Sequence, residues 1–336
     1  MTRISIRVDG PEAVGEVRRR SVALAAEQGL DEATVARAAI VATECASNLW
    51  KHAAGGEVLL SPLETGAQPG IEIIALDKGP GMADIERCFQ DGYSTAGSAG
   101  TGLGAIRRLS SYHDVFSVPG RGTSLLARIW KGNRDLPRLP LANLEVGAVA
   151  VPVRGEVVCG DGYAVHQEAD FSSIMVVDGL GHGPDAAACA AAAKDAFLET
   201  AREDPSEIFA ALHASLRALR GAAAVVARFE PRQRVIRYYG IGNIAGLVYV
   251  NRDSKHMVSQ PGIVGHNSRN VREFTYDWPV GSFVLLYSDG ISTHWSLADY
   301  DQLLVHDPAL LAAVLYRDLA RGRDDATMLA ARDRVS

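Results

Sequence analysis

Several features that mark membrane, secreted and nucleic-acid-binding proteins are scarce in this sequence. Its four cysteines form no C-x-x-C pair, which disfavours a zinc site or a disulfide framework. No apolar run approaches the ~20 residues that cross a bilayer, and no basic stretch followed by an apolar one opens the chain. The formal net charge of -6 argues against a bulk nucleic-acid binder. These absences predict a globular protein of the reducing cytoplasm.

The chain has 336 residues, which is more than a domain with a single hydrophobic core usually contains, so we expect two domains. A polar segment containing Pro137 and Pro140 follows an apolar run and interrupts the pattern. We therefore predict a first domain over residues 1–131, a linker over 132–141 and a second domain over 142–336. Strands and helices are mixed in both halves, which predicts two α+β domains.

Glu44 and Asn48 lie on a long helix predicted to begin after Asp31 and to end near Gly55. Because they are four residues apart, they face the same side of that helix. A carboxylate beside an amide could serve as a base and as a magnesium ligand, since magnesium prefers hard oxygen ligands. Taken alone, however, the spacing favours a solvated polar stripe of an amphipathic helix.

A second motif, Asp77-Lys78-Gly79-Pro80-Gly81, follows a predicted buried strand. An aspartate at a strand end can present its carboxylate to the edge of a flat ligand, and Gly79 and Gly81 let the backbone approach closely. Taken alone, the motif is also typical of a plain turn.

A third motif is the glycine-rich segment 97–104, which includes Gly102 and Gly104 and runs into a predicted helix. Free backbone N–H groups at a helix start bind anions, although a lone loop of this kind is a weak signal. No Gly-Lys-Ser/Thr follows, so the segment is not a P-loop.

In this order, and with Gly122-Thr123 before the last strand, the motifs resemble those of the GHKL ATPases. The likeness covers about residues 1–131 and is strongest to the small serine kinases of bacterial stress and sporulation control, the RsbT and RsbW type. The sequence DGYST at 91–95 adds to it. The resemblance implies an α/β sandwich of the Bergerat type that binds ATP with magnesium.

The resemblance also implies residue roles. Asp77 would bind the adenine amino group with support from Thr123, and Asn48 would ligate magnesium. Four glycines would shape the nucleotide pocket: Gly79, Gly81, Gly102 and Gly104. Glu44 would act as the general base for an acceptor hydroxyl. The alternative is an ATP sensor or an anti-sigma-like binding module without kinase activity, but such a sensor would need no base.

The second half alternates predicted strands with predicted helices and carries four acidic motifs. The strands are predicted at 173–177, 223–228, 235–239, 245–250 and 283–287, and the helices at 184–200, 206–219 and 308–320. The motifs contain Asp161, Asp178, Asp289 and the pair Asp324-Asp325. An isolated Asp-Gly pair is usually a turn, but three of these motifs follow apolar strands. We therefore expect the carboxylates to converge as hard oxygen ligands for magnesium or manganese.

In this order the four motifs resemble those of the metal-dependent type 2C phosphatases, in their bacterial SpoIIE and RsbX form. The likeness covers about residues 142–332, and DGLGHG at 178–183 is its most specific element. It implies an α-β-β-α sandwich and two metals that activate a water for in-line attack on phosphorus. Asp178 would be the catalytic, bridging ligand, assisted by the Gly179 carbonyl. Further ligands would be Asp161, Asp289 and, in preference to Asp325, Asp324.

Together the resemblances imply a bifunctional regulator of bacterial stress or sigma-factor partner switching. Its partner would be a STAS-domain anti-sigma antagonist or a stressosome-type protein, phosphorylated on serine or threonine. A metabolic hydrolase of small phosphate esters stays open, although the attached nucleotide module disfavours it.

Overall fold

The computed structural model describes residues 3–63, 68–89, 102–132, 144–266 and 271–333. The chain divides into two compact units, residues 1–140 and 141–336. Both combine helices with antiparallel sheets, which confirms the α+β class. The predicted linker falls mostly outside the described residues, so its limits stay a prediction. No helix within the described ranges has the length and apolar character needed to span a bilayer.

The first unit contains one five-stranded sheet in the order β1-β2-β3-β5-β4. Its strands are β1 (Ile4–Val8), β2 (Gly56–Leu63), β3 (Gly70–Leu76), β4 (Tyr112–Val118) and β5 (Gly122–Trp130). Its helices are α1 (Pro11–Glu27), α2 (Glu32–Ala53), α3 (Ile85–Cys88) and α4 (Gly102–Leu109).

Helix α2 is the longest element of this unit. It begins where the Asp31 side chain accepts a hydrogen bond from the Thr34 amide, and it ends at Ala54, whose φ is 57°. This confirms the predicted N-cap and the predicted extent. Its small residues, including Ala42 and Ala46, share one core with the strands, which lets the helix lie close to the sheet.

The second unit contains two five-stranded sheets, in the orders β13-β10-β9-β8-β7 and β12-β11-β14-β15-β6. The strands are β6 (Leu144–Val151), β7 (Asp161–Gln167), β8 (Ser172–Gly179), β9 (Ala222–Glu230), β10 (Val235–Ile241), β11 (Ala245–Val250), β12 (Asp253–Met257), β13 (Phe274–Asp277), β14 (Phe283–Tyr287) and β15 (Ala326–Asp333). The helices are α5 (Pro184–Thr200), α6 (Pro205–Ser215), a 3₁₀ helix (Leu297–Val305) and α7 (Pro308–Leu319).

Alternate residues of β9 belong to two different hydrophobic cores, which shows how the sheets and helices of this unit stack. Val225 and Ala227 join a core that includes residues of both sheets, whereas Ala224 and Val226 join the core beneath α5 and α6. Successive strand residues point to opposite faces, so one strand serves both cores. Helix α7 packs on β6 and β15 of the other sheet. The result is the α-β-β-α sandwich expected from the sequence.

Gly147 in β6 marks the closest approach of α7 to its sheet. A Cβ atom built there would collide with the backbone of Ala309 in the first turn of α7. At Gly162 in β7, by contrast, a Cβ atom would lie 3.5 Å from Val177 and 3.6 Å from Ala190, which is ordinary contact. The two glycines therefore tolerate a methyl group very differently.

We predict that Gly147→Ala lowers the free energy of unfolding by about 1–3 kcal/mol, because backbone atoms must move to admit the methyl group. Gly162→Ala is the matched control, and we expect it to be neutral or slightly stabilising. Chemical denaturation of both variants measures the difference. Equal stability of the two variants would contradict the close approach of α7.

Candidate functional site

In the first unit, hydrogen bonds connect the segment after β3 to the start of β5. The Asp77 carboxylate is buried, and its Oδ1 atom accepts hydrogen bonds from the amides of Gly79 (2.8 Å) and Thr123 (3.0 Å). The Asp77 amide donates to the Thr123 carbonyl at 2.9 Å. The two residues expected to recognise adenine are therefore held together.

Glycine allows this segment to approach the β4–β5 hairpin closely. Gly81 and Gly122 have φ values of 70° and 90°, in the left-handed region. A Cβ atom at Gly81 would collide with the Val118 carbonyl, and one at Gly122 with the Asp77 carbonyl. Gly81 was expected to line the nucleotide pocket. In the structure it lets the segment that begins with Asp77 pass close to the β4–β5 hairpin.

Ser117 belongs to the same cluster, although no sequence motif pointed to it. Its hydroxyl oxygen accepts a hydrogen bond from the Met82 amide at 2.7 Å and lies 2.9 Å from the Thr123 hydroxyl. It therefore fixes the side chain of Thr123 as well as the segment after Gly81. In the sequence, the only indication of this role was that Ser117 is a polar residue in the strand that pairs with β5.

Glu44 and Asn48 face the start of α4. A Cβ atom built on Gly102 would lie 2.7 Å from Glu44 Oε2 and 3.6 Å from Asn48 Oδ1. Both side chains are half-buried, so they differ from the solvated stripe that their spacing alone favoured. Gly104, two residues further along α4, is buried.

Helix α2 links these two clusters. The backbone at Gly79 passes so close to α2 that a Cβ atom there would lie 2.7 Å from Cα of Ala53. Ala53 follows Asn48 by five residues, or about 7.5 Å along the helix axis. The structure thus aligns Glu44, Asn48 and the Asp77 segment along one helix. The rest of the glycine-rich segment, 97–101, and the DGYST motif at 91–95 lie outside the described residues.

In the second unit, the register of β7 with β8 places Asp161 directly opposite Asp178. The amide of Gly179 donates to the Gly160 carbonyl at 3.0 Å, next to this pair. Gly179 must lack a side chain, because a Cβ atom would collide with the Ala186 carbonyl of α5. Two of the predicted ligands are therefore cross-strand neighbours.

A buried hydrogen-bond relay holds Asp161. The Ser288 hydroxyl accepts from the Thr327 amide at 2.9 Å and donates to Asp161 Oδ2 at 2.6 Å. Because the amide can only donate, the Ser288 proton is directed at the carboxylate. The relay connects the ends of β14 and β15 in one sheet to β7 in the other.

The neighbours Asp324 and Asp325 have different surroundings. Asp325 is buried, with Oδ1 accepting from the Val153 amide and Oδ2 from the Gly160 amide, both at 2.6 Å. Asp324 is half-buried, and its Oδ1 accepts from the Asp325 amide at 2.9 Å. The preference for Asp324 as a ligand therefore agrees with the hydrogen bonds, although no contact tests it directly.

Asp289 follows β14, and its Oδ2 accepts a hydrogen bond from Asn243 Nδ2 at 2.6 Å. Asn243 lies between β10 and β11, outside every predicted motif. Its only sequence signal is its position after Gly242 at the end of an apolar strand.

Closely spaced acidic side chains dominate this site. Burial, reinforced by the carboxylates of Asp161, Asp289, Asp324 and Asp325, raises the pKa of Asp178 to about 9. Burial also raises the pKa of Asp161 to about 7, against the opposing hydrogen bond from Ser288. Within the described ranges, no lysine, arginine or histidine forms an ion pair with Asp161, Asp178, Asp289 or Asp324.

The chemistry of these side chains fits divalent cations, because hard oxygen donors with unbalanced charge are what magnesium and manganese prefer. Among the described residues, however, no three carboxylate, imidazole or thiol groups are already arranged to hold one metal ion. Metal ligation by these aspartates and by the Gly179 carbonyl therefore stays a prediction.

His182, in the same loop as Asp178, is bound to another partner. Its Nδ1 atom lies 2.8 Å from Glu156 Oε1, and its ring is largely exposed. Glycines at 181 and 183 with φ values of 87° and 78° shape this loop. The Glu156 contact agrees with a role for His182 in loop architecture.

These two folds and sites define a chain that joins an ATPase-type module to a phosphatase-type module. Residues 9–129 match the family model described as histidine kinase-like ATPase domain, and residues 170–334 match that of stage II sporulation protein E (SpoIIE). Through its first half the chain therefore belongs to the RsbT-like branch of the kinase-like ATPases, and its second half is similar to the SpoIIE family.

Two curated relatives from Bacillus subtilis (strain 168) match separate parts of the chain. The serine/threonine-protein kinase RsbT is 35% identical over 107 residues, which make up 32% of this chain and 80% of the kinase. The phosphoserine phosphatase RsbX is 25% identical over 139 residues, which make up 41% of this chain and 70% of the phosphatase.

Two solved structures share the fold over 56% of this chain. One, described as "The bacterial stressosome: a modular system that has been adapted to control secondary messenger signaling", is 28% identical with a TM-score of 0.53 and is covered over 99% of its length. The other, RsbX in complex with magnesium, is 20% identical with a TM-score of 0.50 and is covered over 95%.

The raised pKa of Asp178 predicts how the stability of the metal-free protein depends on pH. The folded state keeps this proton up to about pH 9, whereas the unfolded chain releases it near 3.8, the ordinary pKa of an aspartate. The free energy of unfolding should therefore fall as the pH rises through this window. Asp178→Asn resembles the protonated form and should remove this contribution.

We expect Asp178→Asn to raise Tm in EDTA more at about pH 8.5 than at about pH 5. Asp170→Asn, at the exposed other end of the β7–β8 hairpin, is the control and should show no such difference. An Asp178→Asn effect that is the same at both pH values would mean that Asp178 is ionised throughout.

Proposed function

We propose that the second unit hydrolyses phosphoserine or phosphothreonine on a protein partner. The observation that carries this proposal is the pairing of Asp161 with Asp178 on adjacent strands. Like charges directly opposite each other destabilise a sheet, so a cation bound between the ionised pair would stabilise it, which supports the proposal. The similarity to a curated phosphoserine phosphatase supports the same reaction.

In the proposed site, the cations would be held by Asp178, with Asp161, Asp289, Asp324 and the Gly179 carbonyl. Bound there, they would activate a water for in-line attack and offset charge on the phosphoryl oxygens. The chain's own contribution is to orient these oxygens. Ser288 fixes one oxygen of Asp161, and the two amides that bind Asp325 fix the backbone next to Gly160.

We propose further that the first unit binds ATP with magnesium and phosphorylates a protein partner. Asn48 would hold the magnesium, Asp77 and Thr123 would recognise adenine, and Gly79, Gly81, Gly102 and Gly104 would admit the nucleotide. Glu44 would take the proton from an acceptor hydroxyl as its oxygen attacks the γ-phosphorus and ADP leaves. The position of Glu44 beside Asn48 and Gly102 supports this role.

The partner of both activities is proposed to be a STAS-domain or stressosome-type protein. The names of the relatives support this choice, since one is a serine/threonine kinase, one is a phosphoserine phosphatase, and one structure is of a bacterial stressosome. Opposed activities in one chain would set the fraction of the partner that is phosphorylated.

For the phosphatase, we predict that Asp178→Asn lowers the manganese-dependent hydrolysis of an aryl phosphate by orders of magnitude, since this residue would contact both cations. Asp170→Asn provides the matched control, because it makes the same change at an exposed site at the far end of β8. Asp170→Asn should hydrolyse at the wild-type rate. Activity that persists in EDTA or in Asp178→Asn would rule out the proposed mechanism.

For the kinase, we predict that Glu44→Gln lowers phosphorylation of a STAS-domain partner by about 10²–10⁴ while ATP affinity is nearly unchanged. The full chain should carry Asp178→Asn, so that the second unit cannot erase the product. The mass of the partner reports phosphorylation, and calorimetry reports ATP affinity.

Asp77→Asn is the comparison variant for this experiment. It should weaken ATP binding itself. The amide oxygen can still accept the two backbone hydrogen bonds made to Oδ1, but an NH2 donor replaces the other oxygen, which would accept from the adenine amino group. If Glu44→Gln also abolishes ATP binding, Glu44 is structural. If the protein with Glu44 intact binds ATP yet phosphorylates no partner, the ATP-sensor alternative holds.

A further inference from the structure

The loop between β10 and β11 lies beside the aspartate cluster of the second unit. Gly242 has a φ of 94°, and a Cβ atom there would collide with Cβ of Ala223 in β9. Ala223 is in turn the register partner of Asp178. The loop therefore packs closely against the end of β9 next to Asp178. Asn243, which follows Gly242, must lie at the same end of the sheet.

Asn243 has one hydrogen bond with a defined direction. The amide nitrogen of Asn243 donates to Asp289 Oδ2 at 2.6 Å. That nitrogen carries two hydrogens, and this contact uses one. Within the described residues, no other side-chain hydrogen bond of Asn243 is present.

Burial shows on which side of the cluster this amide lies. Asp161 is buried, Asp289 is half-buried and Asn243 is exposed. The Ser288 hydroxyl reaches the cluster from the buried side, whereas the Asn243 amide contacts it from the side that solvent and substrate can reach.

A phosphoryl group that enters this site carries negative charge towards several carboxylates. It requires hydrogen-bond donors in addition to cations, because each of its non-bridging oxygens must replace the water that it loses. Another candidate in the same region, His182, is already bound to Glu156. The second N–H of Asn243 is a neutral donor at the exposed edge of Asp289.

We propose that Asn243 is a substrate-binding residue of the phosphatase site. Its amide nitrogen bridges Asp289 and a non-bridging oxygen of the phosphoryl group, and it later holds the phosphate product. This assignment rests on the proposed phosphatase function. It adds a residue that belongs to none of the acidic motifs.

The test measures the affinity of the full-length protein for inorganic phosphate, by calorimetry and as inhibition of aryl phosphate hydrolysis. Manganese affinity is determined first for each variant, so that phosphate is titrated with the cation sites equally filled. Asn243→Ala should weaken phosphate binding by about tenfold or more, as expected for a lost hydrogen bond to a charged group. Asn243→Asp should weaken it further, because a carboxylate replaces the donor.

Asn251→Gly is the matched control. Asn251 lies at the other end of β11, roughly 20 Å away, and its φ of 51° accepts glycine without strain. This variant should bind phosphate like the wild type.

Two results would overturn the assignment. If Asn243→Ala changes manganese affinity but not phosphate affinity at filled sites, Asn243 only orients Asp289. If neither affinity changes in either Asn243 variant, the residue has no part in the site. Failure of the proposed function is distinguishable from both, because the wild type would then hydrolyse no aryl phosphate.

Discussion

One buried carboxylate, that of Asp161, and one half-buried carboxylate, that of Asp178, lie on adjacent strands and impose the constraint on which the second unit depends. Repulsion across an antiparallel pair destabilises a sheet, and burial adds the cost of removing charge from water. The sheet tolerates them because the surrounding strands, which place Val225 and Ala227 in a continuous core, fix the backbone. A pair of acidic side chains held by such a scaffold supports the proposed cation site.

Polar residues contact this aspartate cluster from two different sides. Ser288 directs its proton at Asp161 from within the sandwich, and the bond also ties one sheet to the other. Asn243 contacts Asp289 from the exposed edge. One contact is buried and serves to hold the scaffold, whereas the other is accessible and is placed to meet a substrate.

The sequence predicted the positions of the acidic residues better than their partners. Apolar strands that lead to an aspartate were recognisable for Asp178 and Asp289, and helix α5 was predicted with its observed limits. The apolar run expected to form a strand before Asp161 forms none, and Asp161 instead begins β7. The register that sets Asp161 opposite Asp178 was not predicted, because β7 was not recognised as a strand and the register of a hairpin depends on where its turn falls. Strand β12 was missed because Asp253–Met257 is mostly polar, and it forms a strand only by pairing with β11. Ser117 and Asn243 were missed because each acts through one tertiary contact.

Asp324 and Asp325 show why residue type alone could not assign the proposed ligands. They are identical and adjacent, and each could bind a cation equally well by its chemistry. Two backbone amides, those of Val153 and Gly160, donate to the two oxygens of Asp325, so both oxygens already hold a position in the protein. Asp324 is half-buried and accepts a hydrogen bond from one amide, through Oδ1. Backbone donors therefore divide the pair, with Asp325 holding the loop that ends at Gly160 and Asp324 available to the site.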